Sequence, residues 1–225
     1  VIGWANYANY AKPPKYTRLN PDVVLAYAGG IMYPWTREKM EDFKQNWQGW
    51  HDAGPTLVFR PNFMLDGHNM PINFGRKFHE IYRFCLENAM IGTEFDSCIG
   101  QFGSNGFNYY VMSRMTRHPE LSFEAIQQEY CSGFGAAAGE IQKYLEYWEE
   151  VSDSQATVDA CNAVRYDPVG VEIGSWNYFY TKAPLVYTPE VMGKGFAILE
   201  RAAGLVENDA TASLRVAFLR KGLQH

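Results

Sequence analysis

Four short apolar runs recur in the first part of the chain, each leading into a loop: Val1 to Tyr7, Val23 to Ala28, Thr56 to Arg60 and Met90 to Phe95. Runs of this length without sustained polar alternation read as strands buried on both faces. Between the second and third, Thr36-Arg-Glu-Lys39 reads as an N-cap and first turn. Met40, Phe43, Trp47 and Trp50 then keep helical spacing until Gly54-Pro55 stops the helix. Between the third and fourth, Phe74, Phe78, Ile81, Tyr82 and Cys85 repeat one apolar face. This βαβα order specifies a parallel sheet with right-handed crossovers.

After the fourth run the pattern changes. Gly100 to Asn108 reads as a Gly/Asn-rich loop. Helical periodicity begins with Phe107 to Thr116 and continues through Ser122 to Cys131 and Ala136 to Glu150. Cys161 to Pro189 is aromatic and irregular, with Trp176-Asn-Tyr-Phe-Tyr180 at its centre, and two amphipathic helices follow from Pro189 to Val206 and from Ala210 to Leu223. The expected fold class is α/β, a (β/α)8 TIM-type barrel represented by its C-terminal half (four βα units) plus a C-terminal helical extension. The division falls near residue 118, giving 1–118 and 119–225. A small open sheet is the alternative. The barrel is favoured because in it the loops after all four strands gather at one mouth. It requires a partner, the missing N-terminal half of the same barrel. The first residues already read as a strand, which is expected of an internal start with any signal peptide upstream.

Composition narrows the chemistry. With 225 residues, 47% hydrophobic and 20% charged, the chain has the make-up of a globular protein with a sizeable core. A net charge of -5 without any basic run opposes a nucleic-acid partner. No apolar run approaches the roughly 20 residues that cross a bilayer, so no membrane partner is expected. The four cysteines, Cys85, Cys98, Cys131 and Cys161, lack CxxC spacing and read as buried thiols. Aromatic content is high at 16%, with 15 Tyr and 6 Trp, many beside Gly, Asn and Pro. Rings beside amides suit a sugar cleft, since a pyranose face stacks on a ring while its hydroxyls take directed hydrogen bonds.

In the barrel reading, residues just past each strand build the site. These are Tyr7, Asn9 and Tyr10 after the first, Tyr27 and Trp35 at and beyond the second, Arg60, Asn62 and His68 after the third, and Glu94 and Asp96 after the fourth. If the last strand persists through residue 96, Glu94 and Asp96 project to one side. Such a pair suits proton transfer to a leaving oxygen or stabilisation of an oxocarbenium-like centre. The competing role for Glu94 is an ion pair with Arg60 of the neighbouring strand that positions the loops. Arg60 itself needs a partner or a ligand to offset its burial. Asn9 and Asn62 suit sugar hydroxyls or turn capping, Tyr10 and Trp35 stacking or packing beneath a loop. His51 and His79 fall on helical surface. No GxSxG elbow, P-loop, GxGxxG after a strand or HExxH is present, and no His/Asp/Glu cluster has metal-ligand spacing. Neither metal nor cofactor is expected.

Several strings, in order, resemble a known family: Thr56-Leu-Val-Phe-Arg-Pro-Asn62, Met90-Ile-Gly-Thr-Glu-Phe-Asp96, Asn108-Tyr-Tyr-Val-Met-Ser-Arg-Met115 with His118-Pro-Glu120, Gln128-Glu-Tyr-Cys-Ser-Gly-Phe-Gly-Ala-Ala-Ala138, and Tyr187-Thr-Pro-Glu190. They resemble the domain of unknown function 4838, a group that includes glycoside hydrolase family 163. The resemblance implies a (β/α)8 barrel in secreted or periplasmic bacterial proteins that release N-glycans as endo-β-N-acetylglucosaminidases, with the substrate acetamido group as nucleophile. Glu94 then matches the acidic residue at the end of the last barrel strand, and a second acid is expected on an earlier strand. The implied partner is a glycan or oligosaccharide substrate. A non-catalytic carbohydrate-binding or scaffold domain is the alternative.

Overall fold

The protein, seen in a computed structural model, is described over residues 2–6, 12–29, 34–61, 70–95, 98, 101–163 and 179–224. It divides into two compact units, Val1–Leu65 with Lys77–Cys98, and Asp66–Arg76 with Ile99–His225. The division at 98/99 differs from the one expected near 118, because the helix that follows the fourth strand belongs with the second unit.

The first unit is built on strands β1 (Ile2–Asn6), β2 (Val24–Ala28), β3 (Thr56–Phe59) and β4 (Met90–Thr93), with helix α1 (Arg37–Ala53) between β2 and β3 and helix α2 (Gly75–Glu87) between β3 and β4. The strands lie in sequential order and every pair is parallel. Helix α1 begins and ends where its chemistry dictates. The Thr36 hydroxyl accepts from the Lys39 amide, and Gly54 closes the helix with φ 102°, a left-handed conformation that costs glycine nothing.

Phe59 shows why both helices cover the same face. Its ring lies 5.8 Å from Phe43 and 6.3 Å from Trp47 of α1, and 6.3 Å from both Phe78 and Tyr82 of α2. Each fully buried ring of this kind contributes about 1.5–3 kcal/mol. The aromatic spacing in the sequence is therefore the sheet–helix core: Met40, Phe43, Trp47, Phe78, Ile81 and Cys85 are all buried. Alternate residues point to the other face. There Val24 and Val58 are half-buried, Ile2 is largely exposed, and a Cβ built on Gly92 would touch nothing within 4 Å. Toward the carboxyl edge of the same face Ala26, Ala28 and Arg60 are buried, at 3%, 3% and 4% exposed. Parallel sheets are ordinarily covered on both sides, and here this face is covered only in part. The architecture is thus a mixed α/β fold with a singly wound four-stranded parallel sheet.

The second unit is helical: α3 (Phe102–Arg117), α4 (Phe123–Ser132), a 3-10 turn (Gly135–Ala137), α5 (Ala138–Asp153), α6 (Gln155–Ala163), α7 (Phe179–Val186), α8 (Pro189–Leu205) and α9 (Ala210–Gln224). Side-chain caps start two of them, Ser122 on α4 and Thr188, with Pro189 behind it, on α8. Helix α5 packs on α8, and α9 on both α3 and α8. Of the expected Gly100–Asn108 loop, Phe102 to Asn108 is instead the first half of α3. Gly103 is kept there by contact rather than by flexibility: a Cβ on it would lie 2.6 Å from the Gly222 Cα on α9. The two backbones cross where neither carries a side chain.

Asn105 and Asn108, read as loop residues, are buried on α3. The Asn108 side chain donates to the Ile72 carbonyl at 2.6 Å and accepts from the Phe74 amide at 3.1 Å. Asn73 donates to the Leu145 carbonyl and accepts from the Gly75 amide, while its own amide donates to Ser152. These bonds satisfy the irregular backbone of 70–75, which carries no ladder partners of its own. Cys85 and Cys131 are buried as expected, but Cys98 is exposed.

Candidate functional site at the strand ends

Hydrogen bonding in the sheet continues one step past the assigned strand ends. The Arg60 amide donates to the Tyr27 carbonyl and the Glu94 amide to the Phe59 carbonyl, each at 3.0 Å, and the Thr93 hydroxyl also donates to Phe59. Register pairs Tyr27 with Phe59 and Phe59 with Thr93, so the next row across the sheet holds Ala28, Arg60 and Glu94, with Asn6 paired to Ala28. This row lies on the face opposite the helices.

Within it, the Arg60 Nε is 3.4 Å from the Glu94 Oε1. The Arg60 side chain is only 5% exposed and the Glu94 side chain 60% exposed. A buried guanidinium thus lies beside an open carboxylate at the carboxyl edge of a parallel sheet, in ion-pair contact through its Nε. Both roles weighed for Glu94 meet in this one contact: it is the ion-pair partner of Arg60, and it remains accessible to solvent. A carboxylate paired in this way suits orienting a ligand group or stabilising positive charge. Proton delivery falls more naturally to another acid.

Two expected substrate contacts are corrected. Tyr27 lies on the helix-covered face, 1% exposed, with its ring 5.0 Å from Phe43 and 6.0 Å from Trp47. Burial raises its hydroxyl far above the ordinary tyrosine range, with Asp42 adding to the effect. The alternation of side chains along β2 decides this, since Ala26 and Ala28 take the other face. Its ring also accounts for Gly29, where a Cβ would lie 2.6 Å from the Tyr27 ring and hydroxyl. Trp35 is 3% exposed, so its ring presents no open face for stacking, and its carbonyl accepts from the Lys77 ammonium. Tyr7, Asn9, Tyr10, Asn62, His68 and Asp96 lie outside the described residues, as does Trp176-Asn-Tyr. His51 is exposed on α1 and His79 half-buried on α2.

The family model of the domain of unknown function DUF4838 matches residues 1–146. The chain belongs to this family. The DUF4838 match takes in the whole parallel sheet with its Arg60–Glu94 pair, and reaches into α5. Comparison with curated proteins and with solved structures gave no match. No described helix of this DUF4838 protein is long and apolar enough to cross a membrane.

Proposed function

We propose that this DUF4838 protein is a carbohydrate-active enzyme, a glycoside hydrolase that cleaves glycan chains at the carboxyl edge of its parallel sheet. The observation that carries the reading is the Arg60–Glu94 pair, an accessible carboxylate in ion-pair contact with a buried cation where α/β barrels assemble their catalytic groups. The singly wound sheet supports it further. Sequential parallel strands with helices on one face and an apolar opposite face fit the wall of a (β/α)8 barrel, whose interior would cover Val24, Val58 and Gly92. The resemblance of the motif strings to glycoside hydrolase family 163 points to an endo-β-N-acetylglucosaminidase-like activity in a secreted or periplasmic protein. In that chemistry Glu94 orients the substrate's acetamido group or stabilises the oxocarbenium-like centre, and a second acid protonates the leaving oxygen.

The test is hydrolysis of an N-glycan panel by the protein that carries this sequence, against its Glu94→Gln variant. Turnover falls by at least about 100-fold, with the melting temperature nearly unchanged because Glu94 is exposed. Equal turnover would remove Glu94 from the mechanism. A non-catalytic glycan-binding domain is the second reading, and the same ion pair favours it, since a carboxylate already matched by arginine serves recognition as well as chemistry. Glycan binding without any product, in wild type and at high enzyme concentration, selects it.

A further inference from the structure

Helices α3, α4 and α9 enclose a cleft of about 450 Å³ that uses none of the strand-end residues. The volume is in the range of about 300–1,000 Å³ typical of small-molecule sites. Tyr110, Tyr130, Leu214 and Phe218 give it an apolar lining, with Glu129 and Arg215 among its polar members. Tyr110 and Tyr130 stack edge-on at 5.3 Å, so the inner wall is fixed. Leu214 and Phe218 are 73% and 54% exposed, apolar side chains that this fold leaves in water.

The two charges in the lining differ. Glu129 is paired within the protein: the Arg114 Nε donates to its Oε2 at 3.0 Å. Arg215 donates one N–H to the Gly133 carbonyl at the end of α4, which fixes the guanidinium in place. Its remaining N–H groups meet no acceptor, and its charge no carboxylate, among the described residues. The nearby Asp209 is committed to capping α9 through the amides of Thr211 and Ala212. The cleft thus combines an apolar wall with one anchored, uncompensated guanidinium fork. A fork of this kind takes a carboxylate bidentately.

We propose that this cleft binds a small monocarboxylate with an apolar ring or branched chain, the carboxylate on Arg215 and the body against Tyr110, Tyr130 and Phe218. A neutral sugar does not fit as well, because its many hydroxyls need several polar partners and the lining is mostly apolar. The inference does not rest on the hydrolase reading and concerns a separate ligand.

Calorimetry and saturation-transfer NMR on the intact protein test it, with 3-phenylpropionate, its uncharged amide and glucuronate as probes. The acid binds at least about tenfold more tightly than the amide, and glucuronate binds more weakly than either. Arg215→Gln brings the acid-to-amide ratio close to one, while Phe218→Ser weakens acid and amide alike. Should Arg215→Gln fail to fold, the wild-type ratio and the exposed Phe218 position still decide. Equal affinity for acid and amide, tighter binding of glucuronate, indifference to Phe218→Ser, or no binding of 3-phenylpropionate at millimolar concentration each overturns the proposal.

Discussion

Arg60 and Glu94 face each other across neighbouring parallel strands with Nε and Oε1 3.4 Å apart, one buried and the other open to solvent. The asymmetry makes the two residues unequal in stability. Arg60→Ala removes a buried stem together with a charge and costs about 1–3 kcal/mol. Glu94→Gln changes stability by less than about 1 kcal/mol, because an exposed carboxylate gains little from its partner in water. Urea denaturation of both variants checks this; equal losses would show that the pair acts as a structural unit.

The glycine crossing of α3 and α9 predicts opposite outcomes for the same substitution. Gly→Ala inside a helix normally gains up to about 1 kcal/mol. Gly193→Ala on α8, where a new Cβ meets nothing within 4 Å, gains it. Gly103→Ala and Gly222→Ala place a methyl 2.4–2.6 Å from backbone atoms of the other helix and lose about 1–3 kcal/mol through forced separation. Thermal melts of the three variants test the contrast.

Asn108 bonds two backbone groups of the 70–75 segment in a buried setting. Asn108→Leu keeps the volume but leaves the Phe74 amide and Ile72 carbonyl unsatisfied, at a cost of about 1–3 kcal/mol or more. Amide exchange at Phe74 accelerates at the same time. Unchanged exchange would show that another group takes over.

The thiols separate by environment. Burial pushes Cys85 well above the ordinary thiol range and Cys131 up to about 11, so both stay protonated near pH 8. Since the thiolate is the nucleophile, an iodoacetamide pulse at pH 8 labels the exposed Cys98 before Cys85 and Cys131. Raising the pH toward 11 brings Cys131 up before Cys85. Peptide mapping of the labelled sites reads the order, and early labelling of Cys85 would contradict its burial.

Much of the fold is legible in the chain because the relevant signals are local. Thr36 and Gly54-Pro55 mark the ends of α1, and Phe78, Ile81, Tyr82 and Cys85 mark the buried face of α2, through capping chemistry and a 3.6-residue period. The four apolar runs mark the strands to within a residue or two. Where the reading failed, a distant partner overrode local chemistry. Gly103, Asn105 and Asn108 have loop composition, yet they are helical because Gly222 needs the space and the 70–75 backbone needs the amides.

At the strand ends, residue types alone put Arg60 and Glu94 among the candidates, since a charge closing an apolar strand demands a partner. Which side chains share a face was decided only by register. It turns Tyr27 into the helix-covered core and aligns Arg60 with Glu94. The charged cleft among α3, α4 and α9 is likewise a property of packing, because its walls come from segments far apart in the chain. Sequence thus determined the elements, through short-range sterics and periodic burial; tertiary structure decided which groups meet, because those distances depend on how separate elements pair and cross.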